Sequence, residues 1–172
     1  EHNYIAMARG LSISGYSPNG FLDILDGMWW KIDRALTLDQ IRQSARATYI
    51  ESIRNGVTTV FDHHASFGEI NGSLFAIEDA AREMGVRSCL CYEVSDRGGK
   101  EKAREAVREN EVFIEHALSD NSDMIAGMMG LHASFTLSDS TLELCAAAKP
   151  AEVGYHIHIA EGIEDLHHCL KN

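Results

Sequence analysis

Long apolar runs, basic clusters and phosphate-binding glycine motifs are all missing from this 172-residue sequence. No apolar stretch approaches the roughly 20 residues that a membrane-crossing helix needs, and no signal-peptide pattern is visible. Lys and Arg number 15 against 26 Asp and Glu, giving a net charge of −11 with His neutral. That balance argues against nucleic acid or an anionic membrane as a partner, and leaves a small molecule as the expected one. GxGxxG, GxxxxGK(S/T) and GxSxG are absent, so nucleotide-binding and serine-hydrolase readings lose support. Low-complexity segments are absent as well. The four cysteines, Cys89, Cys91, Cys145 and Cys169, show no zinc-ribbon spacing. Cys89 and Cys91 alternate along one expected strand, where packing is the expected role, and a reducing, cytoplasmic setting fits them.

What is present is an alternation of strands and helices. Residues 5 to 36 read as a long irregular stretch, with Gly10, Gly15, Ser17-Pro18-Asn19-Gly20 and the aromatic cluster Met28-Trp29-Trp30. Loops of that length are usually binding loops or lids, so Arg9 and Trp30 are candidates for substrate contact, with loop packing as the alternative. Thr37-x-x-Gln40 is a capping-box signature, followed by Ile41, Ala45, Tyr49 and Ile53 at helical spacing and by Gly56 as a stop. Val57 to Phe61 is a β-branched strand running into Asp62-His63-His64. Further helices are expected over 72–84, 100–117 and from Ser138 to Ala148, with strands over 86–93, 124–131 and 153–159. A last helix starts near Ile163. The order predicts right-handed βαβ units and a parallel sheet. Titratable residues gather where strands finish, which is the active-site edge of a βα-barrel or an open α/β sheet.

The densest chemistry lies in Gly154-Tyr155-His156-Ile157-His158-Ile159-Ala160-Glu161-Gly162. Strand alternation places His156 and His158 on one face. Two imidazoles on an inner face are costly without partners, and a metal ion is a good reason to accept that cost. Glu161, three residues after His158, lies where a carboxylate can reach a metal-activated water without being a ligand. A hydrolytic centre is the expected reading.

Five segments, in matching order, carry a resemblance across essentially all 172 residues. They are His2 to Gly10, Trp29 to Leu36, Phe61 to Ser66, His132 to Thr136 and His156 to Glu161. Together they resemble the amidohydrolase superfamily, in the aminohydrolase and chlorohydrolase branch that includes guanine and cytosine deaminases. The Trp29-Trp30 and Asp62-to-Ser66 segments look most like the SsnA-type aminohydrolases.

The resemblance implies a (β/α)8 barrel with one divalent metal, zinc first and iron second. Family ligands are an HxH pair on the first strand, a His on the fifth, a His on the sixth and an Asp on the eighth. His2 matches the second His of the pair and His158 the fifth-strand ligand. Glu161 matches the catalytic carboxylate, and His132 a fourth-strand His that lines the substrate pocket. Residues 1–172 then correspond to a partial barrel that begins within the HxH motif and ends after strand 5. Such a half-barrel is expected to be inactive or weakly active alone, and to form a homo-oligomer or pair with the missing half. His63, His64 and Glu93 are candidates for substrate contact, with structural roles as the alternative. His156 is expected behind the ligands and His167 and His168 at the surface. Hydrolytic dehalogenation at the same site and a non-catalytic binding module are the competing readings.

Overall fold

The computed structural model describes residues 1–171. A 3₁₀ helix at Asn3–Ala8 opens the chain. Then come α1 (Phe21–Ile24), a π-helical turn (Leu25–Trp29), α2 (Trp30–Asp33) and α3 (Leu38–Arg54). Strands and helices alternate from there: β1 (Thr59–His64), α4 (Ser73–Met84), β2 (Arg87–Tyr92) and α5 (Gly99–Ser119). The last elements are β3 (Ile125–Gly127), β4 (Met129–Leu131), α6 (Asp139–Ala148), β5 (Tyr155–Ile157) and α7 (Ile163–Cys169).

The capping box before α3 forms as the sequence predicts. Thr37 accepts from the Gln40 backbone N–H, and the Gln40 side chain accepts from the Thr37 N–H. The stretch expected to be irregular does not stay so: residues 21 to 33 are helical throughout. Phe21, Ile24, Leu25, Met28 and Ile32 repeat at helical spacing, and the π turn absorbs the interruption around Gly27. Gly27 lets the Tyr16 ring lie close to the turn, since a Cβ would stand 2.9 Å from that ring.

All pairings are parallel: β1 with β2, β2 with β3, and β4 with β5. The strand expected over 124–131 is broken at Met128, yet the offset never changes. Leu90 pairs with Gly127, and Val94 bridges Leu131 four residues further on each side. Between them the side chain of Asn110 on α5 takes over the ladder. It accepts from the Tyr92 N–H at 2.8 Å and donates to the Tyr92 carbonyl at 2.8 Å. The chain start joins the other edge, where the Glu1 amino group donates to Phe61 O at 2.7 Å and the His63 N–H donates to Glu1 O at 2.9 Å.

The strands therefore lie side by side in chain order: the Glu1 segment, β1, β2, β3 with β4, and β5. A doubly wound open sheet reverses its order part-way, whereas a barrel does not. The topology is that of the opening strands of a (β/α) barrel. Helices α3 to α6 cover the outer face, and Tyr49, Leu74, Ile77, Leu90, Phe113 and Ile114 bury their side chains between helices and sheet. Among the described residues no helix is long and apolar enough to cross a membrane.

Candidate metal centre

Alternation along β1 sends Thr59, Phe61 and His63 to the inner face, and Val60, Asp62 and His64 to the face under the helices. His63 therefore meets the imidazoles delivered by β5. Its ring centroid lies 4.3 Å from that of His158 and 4.9 Å from that of His156. His2 approaches from the chain start, 5.2 Å from His158 and 5.6 Å from His63. One ring nitrogen from each of His2, His63 and His158 falls within 4.8 Å of the others.

Main-chain carbonyls orient two of these rings. A carbonyl only accepts, so His2 donates through Nδ1–H to His63 O at 2.7 Å, leaving a lone pair on Nε2. His63 donates through Nε2–H to Leu131 O at 3.0 Å, and its buried Nδ1 has no partner among the described residues. Burial lowers the pKa of His2, and of His63 further, with neighbouring imidazoles adding to the effect at His63. His158 is brought down to about 4, by burial and then by the charges that His2 and His132 would carry. Neutral imidazoles with free lone pairs are the form that binds zinc or another divalent ion, so the donor set fits the metal that the sequence implies.

Beyond β5 the backbone keeps pairing for one residue, with the His158 N–H donating to His132 O at 2.9 Å. Ala160 then adopts φ 58°, a left-handed turn that L residues rarely take and that clusters at functional sites. Asp165 holds the turn by accepting from the Ala160 N–H at 2.6 Å and from the Ser134 hydroxyl. That places Glu161 Oε2 3.6 Å from His132 Nε2. Burial, reinforced by Glu93 and Asp165, pushes the Glu161 carboxyl up to about 7. His132 is held down at about 4 by burial and then by Arg97. The Thr136 hydroxyl donates to Ala133 O, so it accepts from His132 Nδ1–H at 2.8 Å, and Nε2 offers the cavity a lone pair.

A cavity of about 220 Å³ opens above these groups. Its polar wall holds His2, His132, His158, Glu161 and Glu93, and Phe21, Ile24, Leu25, Trp29 and Trp30 form an apolar roof. Trp30 thus sits where a substrate contact was expected. Glu93 is buried and 3.3 Å from Arg97, whose guanidinium also pairs with Asp33 and stacks 3.6 Å from the centre of the Phe67 ring.

Three expected substrate contacts, Arg9, His64 and His63, do not line the cavity. Arg9 is exposed where the 3₁₀ helix ends. His64 points to the opposite side of β1, fully buried, donating to the Ser66 hydroxyl at 2.9 Å beside the Tyr4 and Tyr92 rings. His63 lies beneath His158 rather than on the cavity wall. Sequence reasoning missed Tyr4, Phe21, Ile24 and Leu25 as lining residues, although the helical spacing of the last three was there to find. It also missed Asp165, whose place in the first turn after Gly162 is the signal of a residue that caps and braces.

A sheet of parallel strands in chain order, with imidazoles and a carboxylate at its carboxyl edge, is the architecture of the opening part of a (β/α) barrel. The amidohydrolase family model matches residues 7–172, and the chain belongs to that family. His2 lies just before the matched segment. A 5'-deoxyadenosine deaminase of Methanoregula boonei is 29% identical over 174 aligned positions, covering 98% of this chain and 36% of the relative. A 5-methylthioadenosine/S-adenosylhomocysteine deaminase of Desulforudis audaxviator is 28% identical over 162, covering 93% and 35%. The chain thus spans a little over a third of the length of the curated relatives it matches. Among solved structures, atrazine chlorohydrolase TrzN of Arthrobacter aurescens TC1 complexed with zinc superposes at TM-score 0.72 and 23% identity, over 92% of this chain and 39% of that one. An adenosine deaminase from Xanthomonas campestris with bound zinc superposes at 0.72 and 15%, over 92% and 34%. At these identities the likeness concerns the fold.

Proposed function

We propose that this chain supplies the opening strands of a metal-dependent aminohydrolase that removes the amino group of an aminated ring. The observation that carries the reading is Glu161, with a carboxyl at about 7, beside His132 on a cavity walled by His2 and His158. His2 and His158 would hold a divalent ion, zinc before iron, whose Lewis acidity supplies a nucleophile from water near neutral pH. Glu161 takes one proton from water at a carboxylate oxygen and gives it to the ring nitrogen, then carries a second, from the newly added hydroxyl, to the departing amine, work for which a pKa near 7 is well matched. His132 offers its Nε2 lone pair to a substrate N–H, with Glu161 Oε2 3.6 Å away. Trp29 and Trp30 roof the cavity with flat faces suited to a planar ring, and the relatives named for deamination of adenosine derivatives favour a purine nucleoside.

The activity belongs to a whole barrel, of which residues 1–172 form the part that begins within the first ligand pair and ends after the fifth strand. The remaining strands, or a second copy, are the proposed macromolecular partner. The four free thiols favour a cytoplasmic setting, and the Trp-Trp and Asp-His-His-Ala-Ser segments favour the SsnA-type subgroup. A second reading keeps the same site but expels chloride, on the strength of the zinc-bound chlorohydrolase neighbour.

The test compares parent and Glu161→Gln proteins that carry this segment in a complete barrel. Ammonia release from aminopurine nucleosides should fall at least about 100-fold with bound zinc unchanged. Unaltered turnover would sink the assignment, and chloride release from a chlorotriazine without ammonia release would move it to the second reading.

A further inference from the structure

Resting on the metal-dependent reading above, we propose that His63 is a third imidazole ligand of the ion held by His2 and His158, binding through Nδ1. Three independent features converge on it. The first is proximity, since one ring nitrogen from each of the three residues lies within 4.8 Å of the other two. The second is the fixed tautomer. Because Nε2–H is committed to Leu131 O at 3.0 Å, the nitrogen left with a lone pair is Nδ1. The residue is only 1% exposed, and Nδ1 has no partner among the described residues. A buried acceptor in that condition calls for a cation or a donor.

The third feature is coupling between ligands. The main-chain carbonyl of His63 receives the Nδ1–H of His2 at 2.7 Å, so one residue both contributes a ring and aims its neighbour's. Metal-ligating imidazoles commonly give their second N–H to such a carbonyl, which fixes ring orientation. His64 shows why the unpaired nitrogen alone is not enough. It too leaves Nδ1 without a partner, but it faces the Tyr4 and Tyr92 rings and belongs to no potential ligand cluster among the described residues.

The decisive measurement is ring-nitrogen NMR of the 172-residue protein with ¹⁵N-labelled histidine, titrated with zinc alone. Metal-free His63 should show the Nε2–H tautomer, and zinc should shift its Nδ1 signal together with one ring nitrogen each of His2 and His158. In parallel, His63→Ala should weaken zinc binding in equilibrium dialysis by more than the ~10–100-fold that loss of a supporting group outside the ligand set costs. Zinc that shifts His2 and His158 but leaves His63 unmoved overturns this inference and leaves the metal reading intact. A 172-residue protein that takes up no zinc overturns this inference alone, whereas a complete barrel carrying this segment that takes up no zinc overturns the metal reading as well. The NMR arm uses the unaltered chain, so it decides the matter even where the alanine variant does not fold.

Discussion

Glu161 sits where folding and chemistry want opposite things. Burial, then Glu93 and Asp165, hold its carboxyl at about 7, against 4.5 for an unperturbed glutamate. Between those values the folded chain keeps the proton that the unfolded chain releases, so this group's contribution to stability falls as pH rises from 4.5 to about 7. The histidines act in the opposite sense. His132 and His158, held at about 4, destabilise the fold as pH drops from 6.5 toward 4. Glu161→Gln removes only the first effect. Metal-free, the variant should be more stable than the parent at pH 8 by about 1 kcal/mol, or ~2–4 °C in melting temperature, and the gap should close near pH 4. Melting curves at the two pH values check this. A variant no more stable at pH 8 would mean that Glu161 is not held in an environment hostile to its charge.

At the scale of elements, the roof and the sheet each depend on one buried polar clip. Arg97 ties α2 to the end of β2 by pairing with Asp33 and Glu93, all three side chains at 5% exposure or less. Asp33→Ala leaves Arg97 half-compensated in a buried site and should cost about 3 kcal/mol. Limited proteolysis should then cut faster within residues 21–33, while cleavage at a roof that stays closed would refute the clip. The second clip is Asn110 between β2 and β4. Its amide fits because Gly130 has no Cβ, which would stand 2.2 Å from Tyr92 O. Gly130→Ala should cost roughly 2–3 kcal/mol by urea unfolding. These clips also mark how far the sequence could be read. Helix α3, strand β1 and the site loop at His158 to Glu161 were legible because caps, β-branched runs and alternation are local signals. The roof reads as a loop in the sequence because its helical repeat is broken by Gly27 and a π turn. His63 reads as a candidate substrate contact there because its neighbours come from residues 2 and 158, a closeness that no local pattern records. The broken fourth strand was hidden for the same reason, since its cause is a side chain on α5.

At the largest scale, residues 1–171 form a sheet with one finished face. Helices cover the outside, but the inner face and the β5 edge are open among the described residues. Phe61 lies 55% exposed on the inner side of β1, while Ile159 and Leu170 reach 79% and 75% near the far edge. Tyr155, Ile163 and Leu166 extend that apolar surface. An open strand edge beside exposed apolar side chains is a template for pairing with another sheet. The net charge of −11 opposes association at long range, but salt screens that repulsion and leaves the apolar contribution in place. Sedimentation at micromolar concentration should therefore show species heavier than the 19.0 kDa chain, with a share that grows as salt is added. Replacing Leu166 and Leu170 together by Glu should return the protein to monomer, because both project from α7 and its end rather than from the metal cluster. A chain that stays monomeric at every salt concentration would mean that this surface is tolerated in water. The partner strands proposed for the barrel would then have to be held by something other than the apolar edge.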